Sequence, residues 1–172
     1  MKRNNVHKLT LAAVLTAVAV AGSLFSFPIL GSKCAPVQHM VNIFCAVLLG
    51  PVYGVSCAFC ASFLRNIFGI GSLMAYPGSM IGAWLCGLCY AKTKKLFPTL
   101  AAEVFGTGIL GGLCAYPVAV FLMGKAAGGV AFYAYVFPFL VSTAGGSIIA
   151  GAVVYAVSKM GALSSMQSQL NR

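Results

Sequence analysis

One carboxylate serves the whole chain. Glu103 is the only acidic residue among 172, and it lies a turn or two inside an apolar run. An ionisable group within a hydrocarbon-crossing segment is expensive. It faces a packed interior or a water-filled cavity, and it marks a functional position by default. It also needs donors. Thr107, four residues on, shares its helical face, and the candidate donors are His39, Asn42, Arg65 and Asn66. A structural hydrogen-bonded knot is the plainer account of the same residues.

Gln38, His39, Asn42, Arg65 and Asn66 stand at the ends of two short apolar runs, where they could converge. His39 equally fits a solvent-facing loop. Tyr76 and Tyr116 each precede a proline inside an apolar segment. Proline frees a backbone carbonyl and tyrosine offers a flat face with one hydroxyl, a pairing that suits a small flat ligand. Anchoring at the lipid interface is the plainer reading, and the preferred one for Tyr133 and Tyr135. Cys57-x-x-Cys60 and Cys86-x-x-Cys89 have metal-ligand spacing with each pair on one helical face. Zinc knuckles are polar and turn-rich, so no metal site is expected, and the thiols read as small packed hydrophobes. The sequence shows no phosphate-binding loop and no Ser/His/Asp set. One acid is too few for paired-carboxylate chemistry. No enzymatic activity, cofactor or built-in ATPase is expected.

The elements that position these residues follow from composition. Apolar residues make up 60% of the chain, charged residues 7%, and mean hydropathy is +0.97. An ordinary soluble domain carries about 25% charged residues, so a water-covered surface is excluded. Disorder is excluded by the high hydrophobicity. The chain reads as an all-α polytopic membrane protein, a single domain over 1–172 with room for about six spans. These run over residues 9–27, 40–49, 52–64, 73–90, 99–123 and 130–157, the fourth interrupted at Pro77-Gly78, with a polar tail from Ser158. The first resembles a signal peptide, with Ala17-Val18-Ala19 as a cleavage-like site. It exceeds the roughly 7–15 residues of that apolar region and reads as an uncleaved helix. Spans two and three are too short to cross upright. Gly/Pro-interrupted half-length segments occur near transporter binding sites, and two short packed helices explain them equally well.

The net charge of +10 would suggest nucleic acid in a soluble protein. Here the basic residues flank apolar runs and report orientation instead. With the N-terminus inside, the inner segments hold Lys2, Arg3, Lys8, Lys92, Lys94, Lys95, Lys159 and Arg172. The outer segments hold Lys33, Arg65 and Lys125. Both termini are therefore expected in the cytoplasm. The outer polar stretch from Lys33 to Gln38 is expected to roof a pocket. On the first helix Ala13, Ala17 and Ala21 recur every fourth residue beside Gly22. Such a stripe admits a close neighbouring backbone, from a partner or from the chain's own helices.

Taken together, several stretches resemble the ThiW family. They are Lys33-Cys34-Ala35-Pro36-Val37-Gln38-His39-Met40-Val41-Asn42, the run from Val47 through Gly50-Pro51 to Tyr53, and Arg65-Asn66-x-x-Gly69-x-Gly71. Ala75-Tyr76-Pro77-Gly78-Ser79, Glu103-x-x-Gly106-Thr107-Gly108 and Ala115-Tyr116-Pro117 complete the set. The likeness covers nearly the whole chain. The family often has phenylalanine at the position of Tyr76, and the extra cysteines are unusual. The resemblance implies a substrate-binding S component of an energy-coupling factor (ECF) transporter. That means six helices, capture of a vitamin or precursor from outside, and assembly with a transmembrane coupling protein and two ATPases. The family's Ala-x-x-x-Ala face for the coupling protein matches Ala13, Ala17 and Ala21. The implied ligand is hydroxyethylthiazole, the thiazole precursor of thiamine, which is small, flat and near neutral. Gln38, His39, Asn42, Asn66 and Glu103 are its expected polar contacts, and Tyr76 or Tyr116 the stacking face. The competing reading is a stand-alone proton-coupled exporter or exchanger with Glu103 as proton carrier.

Overall fold

The computed structural model describes residues 3–29, 32–124, 126 and 131–171. Lys2, Gly31, Lys125, Val130 and Arg172 lie outside them, so the expected inner or outer positions of those residues and the start of the last span are not described. Helix α1 (Arg3–Gly22) ends in a tight turn, Ser23–Phe25. A two-stranded antiparallel hairpin follows, β1 (Phe27–Ile29) against β2 (Ser32–Cys34), pairing Phe27 with Cys34 and Ile29 with Ser32. It stands where the sequence suggested only a polar stretch. Backbone groups that must satisfy one another explain the pairing.

Helix α2 (Pro36–Leu48) opens on proline, whose fixed φ suits a first turn and whose missing N–H is not needed there. It starts four residues before the expected Met40, which moves Gln38 and His39 from a loop into the helix. Gly50, at φ +90, turns the chain into α3 (Pro51–Ile67), which outruns the expected end at Leu64. Helix α4 (Ala75–Thr93) contains no break at Pro77-Gly78. Pro77 falls in its first turn, where backbone N–H groups lack helical partners anyway, so the proline starts the helix instead of interrupting it.

Helix α5 (Leu96–Leu122) is continuous but widens over Val104–Gly111 and again over Val118–Leu122, just after Pro117. Helix α6 spans Val136–Lys159, and the polar tail folds as α7 (Ala162–Asn171). Among the described residues, Asn5–Phe25, Leu96–Leu122 and Val136–Lys159 are long and apolar enough to cross a membrane. The architecture is all-α apart from the hairpin.

Large apolar side chains face outward, among them Phe59, Phe63, Trp84, Phe97, Phe105, Phe121 and Ile148. Ser62, Thr99, Glu103, Thr107 and Thr143 are fully enclosed. This suits a hydrocarbon surround, where an exposed phenylalanine carries no penalty and a buried polar group must be paired within the protein. Helix α2 sits centrally. Val41 and Cys45 pack with Ala12, Ala19, Cys57 and Ala61 of α1 and α3, while Ile43 and Val47 pack with Ala150 and Val154 of α6. Ala12, Thr16 and Ala19 form the packed face of α1, continued by Ser23 in the turn that follows, and Ala13, Ala17 and Ala21 are exposed on the other. Among the described residues, the alanine stripe is therefore not used for packing within the chain.

Cys57 is buried and Cys60 exposed, so this pair does not share an environment. The Cys57 and Cys86 thiols donate to the Ala12 and Ala83 carbonyls. Tyr135 is not an interfacial anchor: it is buried with Met74, Ala115 and Ala119, whereas Tyr133 is exposed.

Candidate functional site

The first turns of α2 aim Gln38, His39 and Asn42 into the bundle. Helix α5 meets them with Glu103 and Thr107. The Glu103 carboxylate is fully enclosed, and its Oε1 accepts from Asn42 Nδ2 at 3.0 Å and Thr107 Oγ1 at 3.0 Å. His39 Nδ1 lies 3.1 Å from the same oxygen. Among the described residues Oε2 has no hydrogen-bond partner, and it faces Gly82. A Cβ at residue 82 would overlap Thr107 Oγ1 and stand 2.7 Å from Oε2, so only glycine lets α4 lie this close to the carboxylate.

On its other side His39 Nε2 lies 3.1 Å from Ser142 Oγ on α6, and that oxygen accepts the Ala35 N–H at 2.9 Å. With Nδ1–H donated to Glu103, Nε2 is left as an acceptor. Hydroxyl, imidazole and carboxylate thus stand in the order of a nucleophilic triad, an alignment that sequence spacing did not show. An oxyanion would need its own donors. The one backbone N–H bonded at this hydroxyl, that of Ala35, points at Ser142 Oγ itself. The chain of contacts orients His39.

Above this layer lies a small cavity of about 40 Å³, well below the roughly 300–1,000 Å³ typical of small-molecule sites. Gln38, His39, Arg65, Ser142 and Thr107 give it polar walls, and Met74, Pro138 and Phe139 apolar ones. Lys33 and Ala35 close one side. The hairpin is stitched down there: Lys33 Nζ donates to Ile70 O at 3.2 Å, and Cys34 Sγ to Pro138 O at 3.2 Å. Hairpin, α3–α4 connection and α6 therefore meet over the cavity.

Of the residues expected to contact a ligand, Gln38 and His39 line this cavity. Asn42 and Glu103 lie beneath them: Asn42 accepts from Gln38 Nε2 at 3.3 Å and donates to Glu103. Asn66 is not brought in. Its amide donates to the carbonyls of Ser62 at 2.8 Å and Ser72 at 3.4 Å, closing the end of α3. Tyr76 packs on Phe59 with ring centroids 5.8 Å apart, and Tyr116 packs beside the Met74 cluster. Neither lines the cavity. Phe139 supplies the aromatic wall in their place. Of the donors considered for Glu103, His39 and Asn42 reach it, and Arg65 and Asn66 do not.

The family model of ThiW, described as a thiamine-precursor transporter protein, matches residues 9–160. The chain belongs to the ThiW family. No curated protein matches it. As a ThiW chain it is a membrane protein of thiamine-precursor transport. The cavity lining of this ThiW chain also includes Phe139, Ser142, Met74 and Ser79, which the sequence reading did not single out as site residues. The available signal was Ser142-Thr143, a polar pair in an otherwise apolar span, with Phe139 one helical turn earlier on the same face.

Proposed function

We propose that this chain is the substrate-binding S component of an ECF-type importer, taking up the hydroxyethylthiazole skeleton from outside the cell. The observation that carries the proposal is the cavity under the hairpin, which pairs an apolar wall at Phe139 with polar side chains from Gln38, His39 and Ser142. A thiazole ring stacks on the first, and an alcohol arm hydrogen-bonds within the second. Lys8 and Lys94 line a cleft beside Leu48 and Gly50 at the C-terminal end of α2, whereas this cavity lies at its N-terminal end. The positive-inside rule then assigns the cavity to the outer side and both termini to the cytoplasm. The exposed Ala13, Ala17 and Ala21 stripe is the face offered to the coupling protein, whose two ATPases supply the energy for uptake.

The stand-alone exporter is less well supported. A proton carrier must exchange with water on both sides, whereas Glu103 is fully enclosed and one of its oxygens holds three partners. The test is mass spectrometry of small molecules released from the purified full-length protein, with titration calorimetry of hydroxyethylthiazole. Release of a thiazole and measurable binding support the reading; a different ligand class, with no thiazole binding, refutes it.

A further inference from the structure

Arg65 is 3% exposed and lines the cavity. A guanidinium has five N–H donors and keeps its charge in proteins. Among the described residues, Arg65 makes one side-chain hydrogen bond, a long one from Nη1 to Gln38 Oε1 at 3.4 Å. Its Nε–H is buried with no partner. The only acidic side chain in the sequence is Glu103, which is paired with His39. Arg65 lies in the last turn of α3, where the helix dipole favours a cation. That accounts for the charge at this level of the helix but not for the open donors. Its own carbonyl is already taken by the Ile70 and Gly71 N–H groups at 3.0 and 2.8 Å. The cavity lining contains Lys33 and Arg65 and no acid. A buried cation held at a cavity without a counter-charge is costly unless a ligand completes it.

We infer that the preferred ligand of this cavity carries an anionic oxygen group, with a phosphate monoester on the thiazole's alcohol arm as the fitting class, and that Arg65 with Lys33 binds that group. This rests on the thiazole reading above and departs from the neutral ligand that the resemblance implies. Arginine suits the role because its planar fork meets two oxygens of a phosphate at once. Gln38, held by Asn42, keeps the fork in place.

The experiment is titration calorimetry of the full-length protein in lipid nanodiscs with three probes: hydroxyethylthiazole, its phosphate monoester, and inorganic phosphate. The monoester is expected to bind at least tenfold more tightly than the alcohol. Arg65→Gln should erase that preference by weakening the monoester far more than the alcohol, and Arg65→Lys should retain part of it. Equal or tighter binding of the alcohol by the unmodified protein overturns the inference and leaves the thiazole reading standing; this comparison needs no variant. If neither thiazole binds, the thiazole reading fails. Arg65-dependent binding of inorganic phosphate would then still uphold the anion site, and its absence would overturn that as well.

Discussion

His39 Nδ1 and Glu103 Oε1 lie 3.1 Å apart, a hydrogen-bonded contact that joins α2 to α5 across 64 positions of sequence. Asn42 and Thr107 converge on the same oxygen. Replacing Glu103 with leucine removes the shared acceptor of His39, Asn42 and Thr107 in an enclosed site; Asn42 Nδ2 keeps the Ser79 carbonyl at 3.2 Å, and each group left stranded costs about 1–3 kcal/mol. Glu103→Leu should therefore lower the thermal midpoint sharply, whereas Glu103→Gln keeps an acceptor oxygen and should lose less. A thermal-shift series in detergent measures this, and equal midpoints for the two variants contradict it.

The imidazole lines the cavity, held between Glu103 and Ser142, and Asn42 supports both Gln38 and Glu103. His39→Ala and Asn42→Ala should each weaken thiazole binding several-fold or more, consistent with about 0.5–1.5 kcal/mol for a lost hydrogen bond plus the disturbance of a stranded partner. Lys92→Ala, at the opposite end of the bundle, should leave affinity unchanged. Calorimetry checks all three, and the opposite pattern would put the cavity on the wrong side of the membrane.

The aromatic wall can be assigned by the same method. Phe139→Ala should reduce affinity several-fold, the about 0.5–1.5 kcal/mol of an aromatic contact beyond its buried area. Tyr76→Leu and Tyr116→Leu should have smaller effects because neither ring lines the cavity. Loss of binding in Tyr76→Leu with retention in Phe139→Ala would reverse the assignment.

Gly82 tests the close approach of α4 to the carboxylate. Gly82→Ala drives a methyl group into Thr107 and Glu103, whereas Gly145→Ala meets nothing within 4 Å. The first should destabilise the protein and impair binding, by roughly the 1–3 kcal/mol of an overpacked core; the second should be close to neutral. Paired melting curves decide the point.

Bulk on the unused face of α1 should separate partner assembly from ligand capture. Ala13→Trp or Ala17→Trp is expected to abolish co-purification with the coupling protein and to spare ligand binding by the solitary subunit. Recovery of an intact complex with either variant rejects the stripe as the docking face.

The sequence alone determined the solvent and the class of problem. So few charges cannot cover a water-facing surface, and one acid in an apolar run had to find partners inside the protein. The alanine spacing of α1 was equally legible, because a four-residue period defines a helix face without reference to anything else. Tertiary structure decided which donors met Glu103, since His39 and Asn42 approach from 64 and 61 positions away and nothing local distinguishes them from Arg65 or Asn66. It also placed Phe139 in the cavity in preference to Tyr76 and Tyr116. The physical reason is the apolar surround: a helix in hydrocarbon presents apolar residues on its inner and outer faces alike, so its sequence carries no strong amphipathic phase to show which way a ring points. Only the packing of α4, α5 and α6 against the central α2 sets that rotation.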